Sequence, residues 1–84
     1  MEEFVVYILY SEKFNQNYTG YTSNLIERFK SHNHLGIKGH TIKYRPWIVI
    51  HVEFYNSKSK ATKREKQLKS GTGREFIKSI INKS

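Results

Sequence analysis

The sequence predicts an α+β fold, in which a three-stranded antiparallel sheet is flanked by three helices in the order β-β-α-β-α-α. Residues 4–10 form an apolar run that returns through a polar segment into a second strand ending at Gly20, as in a β-hairpin. An alternating apolar run at 47–55 separates segments whose apolar residues recur at helical spacing. A chain of 84 residues allows one small core, so we expect a single domain over 1–84.

The composition indicates a polyanionic partner. The net charge is +8 and aromatic residues make up 14% of the chain, a combination for which nucleic acid is the commonest partner, ahead of an acidic protein or a lipid surface. The chain has no cysteine, which suits a reducing, cytoplasmic compartment. No apolar run is long enough to span a membrane, and residues 1–3 are acidic where a signal peptide would be basic. We therefore expect a cytoplasmic protein outside the membrane.

The first strand is apolar at both alternating sets of positions, so it should lie at the centre of the sheet with both faces covered. If the hairpin closes through about four residues at 11–14, Tyr7 falls almost opposite Tyr18. Gly20 then shares their face and leaves a gap where another group can approach the backbone. Tyrosines are common in strands, so core packing alone could also explain them.

A first helix is predicted from Asn24 to Asn33, with Ser23 as its N-cap. His32 lies on its apolar stripe and Arg28 on the flank of that stripe, four positions earlier. A cation and an imidazole would thus share the edge of the buried face. The alternative is structural: Arg28 would extend along the rim of the core, and His32 would be a hydrogen-bonded core residue.

A basic loop is predicted at 34–44, where glycines interrupt any periodicity. The third strand should follow at 47–55, with the even-numbered residues from Ile48 to Phe54 as its apolar face. His51 and Glu53 fall on the opposite, exposed face. We interpret them as cross-strand polar residues and not as metal ligands.

Two further helices are predicted in the last third of the chain. One spans Lys58–Lys69 after an N-cap at Asn56 or Ser57. The other follows residues 70–73 and buries the apolar residues from Phe76 to Ile81.

Glu65 is the single acid in the first of these helices, and it shares the inward stripe with Ala61 and Leu68. Burying a carboxylate costs several kcal/mol unless a cation or hydrogen bonds compensate. Two hypotheses follow. Glu65 either forms a partly buried salt bridge with Arg28 or Arg64, or it is a hard oxygen ligand for Mg²⁺.

From Val5 to about Ile80 the chain resembles the GIY-YIG nuclease domain, whose two tripeptides appear here as Val6-Tyr7-Ile8 and Tyr18-Thr19-Gly20. The order of elements is also that of this family. Its catalytic positions are matched, in order, by Tyr7, Tyr18, Arg28 and Glu65. Residues 32–33, 43–47 and 64–69 look like the small stand-alone members, which are similar to the N-terminal nuclease domain found in excinuclease ABC.

The resemblance implies metal-assisted hydrolysis of phosphodiester bonds in nucleic acid, with DNA expected before RNA and DNA repair as the expected context. Glu65 would hold one Mg²⁺ or Mn²⁺ ion bound together with substrate, and Arg28 would stabilise the transition state. Tyr7 and Tyr18 would orient the attacking water, and the base is either one of these tyrosines or His32. The residues expected to bind nucleic acid are Lys38, Lys43, Arg45, Lys58, Lys60, Lys63, Lys66 and Lys69. We expect a monomer or a weak dimer, with any protein partner left open.

One departure from the family bears on activity. Many active members carry an asparagine roughly a dozen residues beyond the metal-binding glutamate, where this chain has Phe76-Ile77. The alternative hypothesis is therefore a catalytically inactive nucleic-acid-binding module on the same fold. A basic adaptor for an acidic protein would explain the charge but not the four matched positions.

Overall fold

A three-stranded antiparallel sheet forms the centre of the computed structural model. The structure describes residues 3–30 and 43–83, and at positions 28 and 30 it describes the backbone alone. The strands are β1 (Phe4–Ser11), β2 (Gln16–Thr22) and β3 (Ile48–Tyr55), and they lie in the order β2-β1-β3. The helices are α1 (Leu25–Lys30), α2 (Lys58–Leu68) and α3 (Gly71–Lys83). The predicted α+β class and element order are confirmed.

The central strand β1 is buried on both faces, as predicted. Residues 5–9 are all at most 6% exposed. Even-numbered residues of β1 pack with Ala61 and Leu68 of α2, while odd-numbered ones pack with Trp47 on the side that α1 covers. The sheet therefore separates two apolar clusters, one under α2 and α3 and the other under α1.

The hairpin between β1 and β2 closes one residue later than predicted, through residues 12–15. Tyr7 therefore lies opposite Gly20, and Tyr18 is two positions along the same face, opposite Leu9. Asn15 adopts a positive φ of 51° and its Oδ1 accepts a 2.9 Å hydrogen bond from Tyr10 Oη. Asparagine tolerates this left-handed conformation better than most residues, which favours the later turn.

The apolar face predicted for β3 is wrong, because a β-bulge interrupts the strand. Pairing with β1 shifts register between Ile8 and Leu9, and Ile50 is left without a partner on β1. One extra residue exchanges the two faces of a strand. Ile50 consequently packs under α2 and α3, whereas Val52 packs in the cluster under α1, and Phe54 is 60% exposed.

The N-cap of α1 is Asn24 and not Ser23 as predicted. Asn24 Oδ1 accepts a 3.2 Å hydrogen bond from the backbone N–H of Glu27, the third helical residue. Phe29 packs into the cluster on this side of the sheet, as its place on the apolar stripe predicts. The predicted end of the helix at Asn33 lies outside the described residues.

The two C-terminal helices meet at a close backbone contact. Ser57 caps α2, as one of the two predicted alternatives has it. An added Cβ at Gly73 would run into the backbone of Leu68, so glycine permits the turn between α2 and α3. Ile77 is buried at 3% exposure, but Phe76 is 36% exposed, which corrects the prediction that both are buried. None of the described helices is both long enough and apolar enough to cross a membrane.

Ser11, at the end of β1, provides a test of the packing. The side chain is fully buried, and its Oγ has no hydrogen-bond partner within the described part of the chain. Since an unsatisfied buried hydroxyl costs about 1–3 kcal/mol, Ser11→Ala should raise the free energy of unfolding by roughly 0.5–1 kcal/mol in urea titrations. The exposed Ser79→Ala is the control and should stay within about 0.5 kcal/mol of the wild type. A lower midpoint for Ser11→Ala would contradict the assignment.

Candidate functional site

The phenol of Tyr7 occupies the space that Gly20 leaves on the neighbouring strand. A Cβ built on Gly20 would lie 2.7 Å from Tyr7 Oη, 2.9 Å from Tyr7 Cζ and 3.0 Å from Tyr18 Cε1. The two tyrosine rings are tilted by 33° with centroids 6.2 Å apart. The group that approaches the backbone at Gly20 is therefore Tyr7 itself, and the tyrosine pair depends on the absence of a side chain there.

Trp47 supports this pair from the same side of the sheet. Its ring lies edge-on to Tyr18, with centroids 6.5 Å apart, and to Tyr44, at 6.2 Å. Trp47 and Tyr7 are 2% and 1% exposed, whereas Tyr18 is half-buried. Tyr7 thus belongs to the packed interior, and Tyr18 connects that interior to the surface.

Tyr18 opens onto a cleft of about 390 Å³. The cleft is lined by Asn17, Tyr18, Thr19, Leu68, Lys69, Arg74 and Ile77. Successive side chains of a strand point to opposite faces, so three consecutive residues of β2 can line one cleft when it runs along the edge of the strand. β2 is an edge strand of the sheet. Leu68 and Ile77 belong to the cluster under α2 and α3, so the cleft lies on that side of the sheet, and Tyr18 borders it at the edge of β2.

Glu65 reaches this region from α2. Its side chain is 18% exposed, and its Oε1 lies 3.6 Å from Nζ of Lys69, which itself lines the cleft. The sequence predicted Arg28 or Arg64 as the ion-pair partner; Arg64 binds Glu53 instead, and the Arg28 side chain lies outside the described part of the chain. Lys69 thus links the carboxylate of α2 to the cleft that Tyr18 lines.

The basic residues predicted to bind nucleic acid are spread over two surfaces. The predicted lysines of α2 and of its C-cap are all exposed: Lys58, Lys60, Lys63, Lys66 and Lys69. Lys43 is also exposed, with Nζ 5.7 Å from the Tyr44 ring centroid, and Arg45 is half-buried. The remaining predicted site residues, His32 and Lys38, lie outside the described residues.

A second polar cluster, which the sequence interpretation missed, joins β3 to α2. Arg64 donates from Nε to Glu53 Oε1 at 2.8 Å and from Nη2 to Oε2 at 3.0 Å. Tyr55 Oη also donates to Glu53, at 2.7 Å, and His51 Nε2 lies 2.8 Å from the same carboxylate. The prediction of an exposed face for His51 and Glu53 is wrong, since the bulge turns this part of β3 towards α2 and α3.

The electrostatics of this cluster follow from the contacts around Glu53. Burial alone would raise the pKa of the Glu53 carboxyl, but hydrogen bonds from Arg64, His51 and Tyr55 outweigh it and lower that pKa to about 2. The hydrogen bond to Glu53 raises the pKa of both Tyr55 and Arg64. Glu53 and Arg64 are therefore ionised at neutral pH and bind α2 to β3.

The ion pair also fixes the rotation of α2 about its axis. Arg64 points towards β3, where its guanidinium lies 5.4 Å from the ring centroid of Phe76 in α3. The next helical residue, Glu65, is turned by about 100° and so points elsewhere on the helix surface. Arg64, which the sequence offered as a partner for Glu65, thus binds Glu53 and orients the helix that carries Glu65.

Residues 3–78 match the family model of the GIY-YIG catalytic domain. The chain belongs to the GIY-YIG family. Domains of this family are generally endonucleases, so membership implies a nuclease-like function in general. The sequence resemblance to this family is thereby confirmed.

Among the relatives of this GIY-YIG domain are small proteins of similar length. UPF0213 protein SH2523 of Staphylococcus haemolyticus is 35% identical over 80 residues, which cover 95% of this chain and 96% of the relative. UPF0213 protein CPE1444 of Clostridium perfringens is 35% identical over 67 residues, which cover 80% of this chain and 72% of the relative. The solution NMR structure of UPF0213 protein BH0048 of Bacillus halodurans matches with a TM-score of 0.55 and 26% identity, covering 93% of this chain and 84% of that one.

The fit between Gly20 and the tyrosines predicts a large effect for a small substitution. In Gly20→Ala the new methyl group would collide with the Tyr7 ring in a packed core, so the free energy of unfolding should fall by about 1–3 kcal/mol. Gly71→Ala is the matched control, because an added Cβ there meets nothing within 4 Å. Adding Tyr7→Phe to Gly20→Ala removes the nearest atom and should restore part of the loss. Equal stability of the two alanine variants would contradict this packing.

The Glu53 cluster predicts a pH dependence of stability. Because the folded-state pKa of about 2 lies below the ordinary value of 4.5, the stabilisation is complete above pH 4.5 and is lost as the pH falls through 2. Urea titrations should show a loss of up to about 3 kcal/mol between pH 5 and pH 2. Glu53→Gln should unfold more easily at pH 7 and lack this part of the profile, while Glu12→Gln, in the exposed hairpin loop, should retain it. Identical profiles for both variants would contradict the assignment.

Proposed function

We propose that this protein is a metal-dependent endonuclease that hydrolyses phosphodiester bonds in nucleic acid, with DNA as the expected substrate, at the outer edge of β2. The observation that supports this most strongly is the route from Tyr18 through Lys69 to Glu65. Tyr18 belongs to the cluster under α1 and Glu65 belongs to α2, on the other side of the sheet. The edge of β2 is where residues from both sides can act on one phosphate.

The residues at this edge fit a divalent cation that is bound mainly by water and substrate. Mg²⁺ in nucleotide-processing sites is often held by one or two carboxylates together with substrate phosphates. In the described ranges no group of three or more His, Cys, Asp or Glu residues could hold a metal ion, so an ion held by Glu65 would depend on water and substrate oxygens for most of its ligands. Such an ion would neutralise negative charge on the phosphate as it develops during hydrolysis.

Tyr7 and Tyr18 differ in solvent exposure and therefore have different roles in this proposal. Tyr18 is half-buried at the edge of the sheet and has more contact with solvent than Tyr7, so its hydroxyl would hold the attacking water. Tyr7 is buried against Gly20 and would keep Tyr18 in position. The water would give its proton to a tyrosine in its phenolate form or to neutral His32, and the leaving oxygen would take a proton from solvent. The Arg28 guanidinium would bind the phosphate oxygens with the planar geometry that lysine lacks.

The exposed lysines of α2 would attract the nucleic acid backbone without reading its sequence. The family's C-terminal asparagine has no counterpart at positions 76–77, since Ile77 is buried in the core and Phe76 contacts His51 and Arg64. A module that binds nucleic acid without cutting it is therefore the second outcome that the experiment must distinguish.

Glu65→Gln separates the two outcomes. Branched, nicked and single-stranded DNA and RNA would be incubated with each variant in Mg²⁺, in Mn²⁺ and in EDTA. We expect cleavage by the wild type with metal, none by Glu65→Gln, and similar binding by both, because the substitution removes the metal ligand alone.

Stability in EDTA provides the second readout. Lys69 is 54% exposed, so the free energy of unfolding of Glu65→Gln should stay within about 0.5 kcal/mol of the wild type. A loss of roughly 3–5 kcal/mol would instead indicate a structural salt bridge. Glu75→Gln, on the exposed surface of α3, is the control and should cleave normally. Cleavage by Glu65→Gln would refute the metal assignment, and binding without cleavage by the wild type would support the inactive module.

A further inference from the structure

The cleft at the edge of β2 contains a cation that the proposed reaction does not use. Arg74 lines the cleft from the first turns of α3, five residues after Lys69. Its side chain is exposed, and none of the described acidic residues lies within ion-pair distance of it. Arg74 and Lys69 therefore bring two positive charges to one wall of the cleft, against a single carboxylate at Glu65.

The opposite wall is polar and belongs to the strand edge. Asn17 and Thr19, two polar residues, line it, and an edge strand presents backbone N–H and C=O groups along its length. Leu68 and Ile77, which are 1% and 3% exposed, form an apolar base. A cleft of about 390 Å³ built in this way suits a small polar anion with an apolar part.

We propose that Arg74, together with Lys69, binds the phosphodiester of the nucleotide next to the bond that is cut. This inference rests on the proposed function, since it takes Tyr18, at the same cleft, as the position of the reaction. A guanidinium binds phosphate through two parallel hydrogen bonds, and the neighbouring ammonium adds a point charge. The cleft would thus hold the substrate chain on one side of the scissile phosphate.

Lys69 also connects this subsite to Glu65, the proposed metal ligand. Its ammonium lies 3.6 Å from Glu65 Oε1, so a phosphate in the cleft competes with that carboxylate for the same cation. Movement of Lys69 towards the phosphate leaves an oxygen of Glu65 available as a ligand. Binding of the neighbouring nucleotide and availability of the carboxylate are therefore coupled through one side chain.

Amide chemical shifts measured in EDTA test the subsite without any cleavage. The probes are inorganic phosphate and the 5′-phosphorylated dinucleotide pTpT, added to the whole protein. We expect shifts at Asn17–Thr19 and around Lys69–Ile77, with pTpT binding more tightly than phosphate. Arg74→Gln should raise the Kd for pTpT about tenfold, and Arg74→Lys should raise it less. Lys83→Gln, which removes one exposed charge from the last turn of the same helix, should change it less than about twofold.

The outcomes for the subsite and for the nuclease are separable. Shifts centred elsewhere, equal Kd values for Arg74→Gln and Lys83→Gln, or phosphate binding as tightly as pTpT would each overturn the subsite, even if the wild type cleaves DNA. Shifts confined to the cleft and sensitive to Arg74, in a protein that cleaves nothing with Mg²⁺ or Mn²⁺, would support nucleotide binding there and overturn the nuclease proposal. In an active protein, Arg74→Gln should raise KM for DNA more than it lowers kcat, whereas Lys83→Gln should change neither.

Discussion

Burial of β1 on both faces is the constraint from which the rest of the structure follows. Residues 5–9 are removed from water on two sides, so the chain must supply a cover for each face. Helices α2 and α3 cover one face, and α1 with Trp47 covers the other. With β1 at the centre of three strands, β2 and β3 are both edges. Tyr18 lies on β2, one of these edge strands, and borders the same cleft as Lys69 at the end of α2.

Those parts of the fold that depend on regular periodicity could be predicted from the sequence. The two apolar faces of β1 and the order of elements are local or strictly repeating signals, and the cap of α2 could be predicted only as Asn56 or Ser57. The bulge at Ile50 could not be predicted, because a strand with an extra residue has the same kind of apolar and β-branched residues as a regular strand. The extra residue nevertheless moves every side chain that follows it in the strand to the opposite face. The choice between Ser23 and Asn24 as a cap is similar, since adjacent residues with equal propensity are separated by geometry alone.

In the candidate site, too, the features that follow from periodicity could be predicted, and those that follow from tertiary packing could not. The positions of Tyr7, Tyr18 and Glu65 could be predicted to lie on inward-facing stripes, but the cleft that connects Tyr18 with Lys69 exists because α2 ends beside the edge of β2. Arg64 is the clearest case of what sequence cannot supply. In the chain it is one basic residue among several on a polar helix, and its partner Glu53 is in a strand of another layer. Tertiary packing brings Glu53 of β3 next to α2, and this contact determines that Arg64 is the cation of α2 that points towards the sheet.

The fit of Tyr7 against Gly20 also explains how the first tripeptide of the family can be altered without loss of the architecture. In Val6-Tyr7-Ile8 the two flanking residues point to the other side of the sheet, where any well-packed aliphatic side chain satisfies the core. Stereochemistry specifies one phenol on the first strand and the missing side chain facing it on the second. The feature that identifies this hairpin is therefore the cross-strand pair of Tyr7 and Gly20, and not a tripeptide of fixed sequence. Distant members of the family are better sought by a rule that demands tyrosine opposite glycine and leaves the intervening positions open to any aliphatic residue.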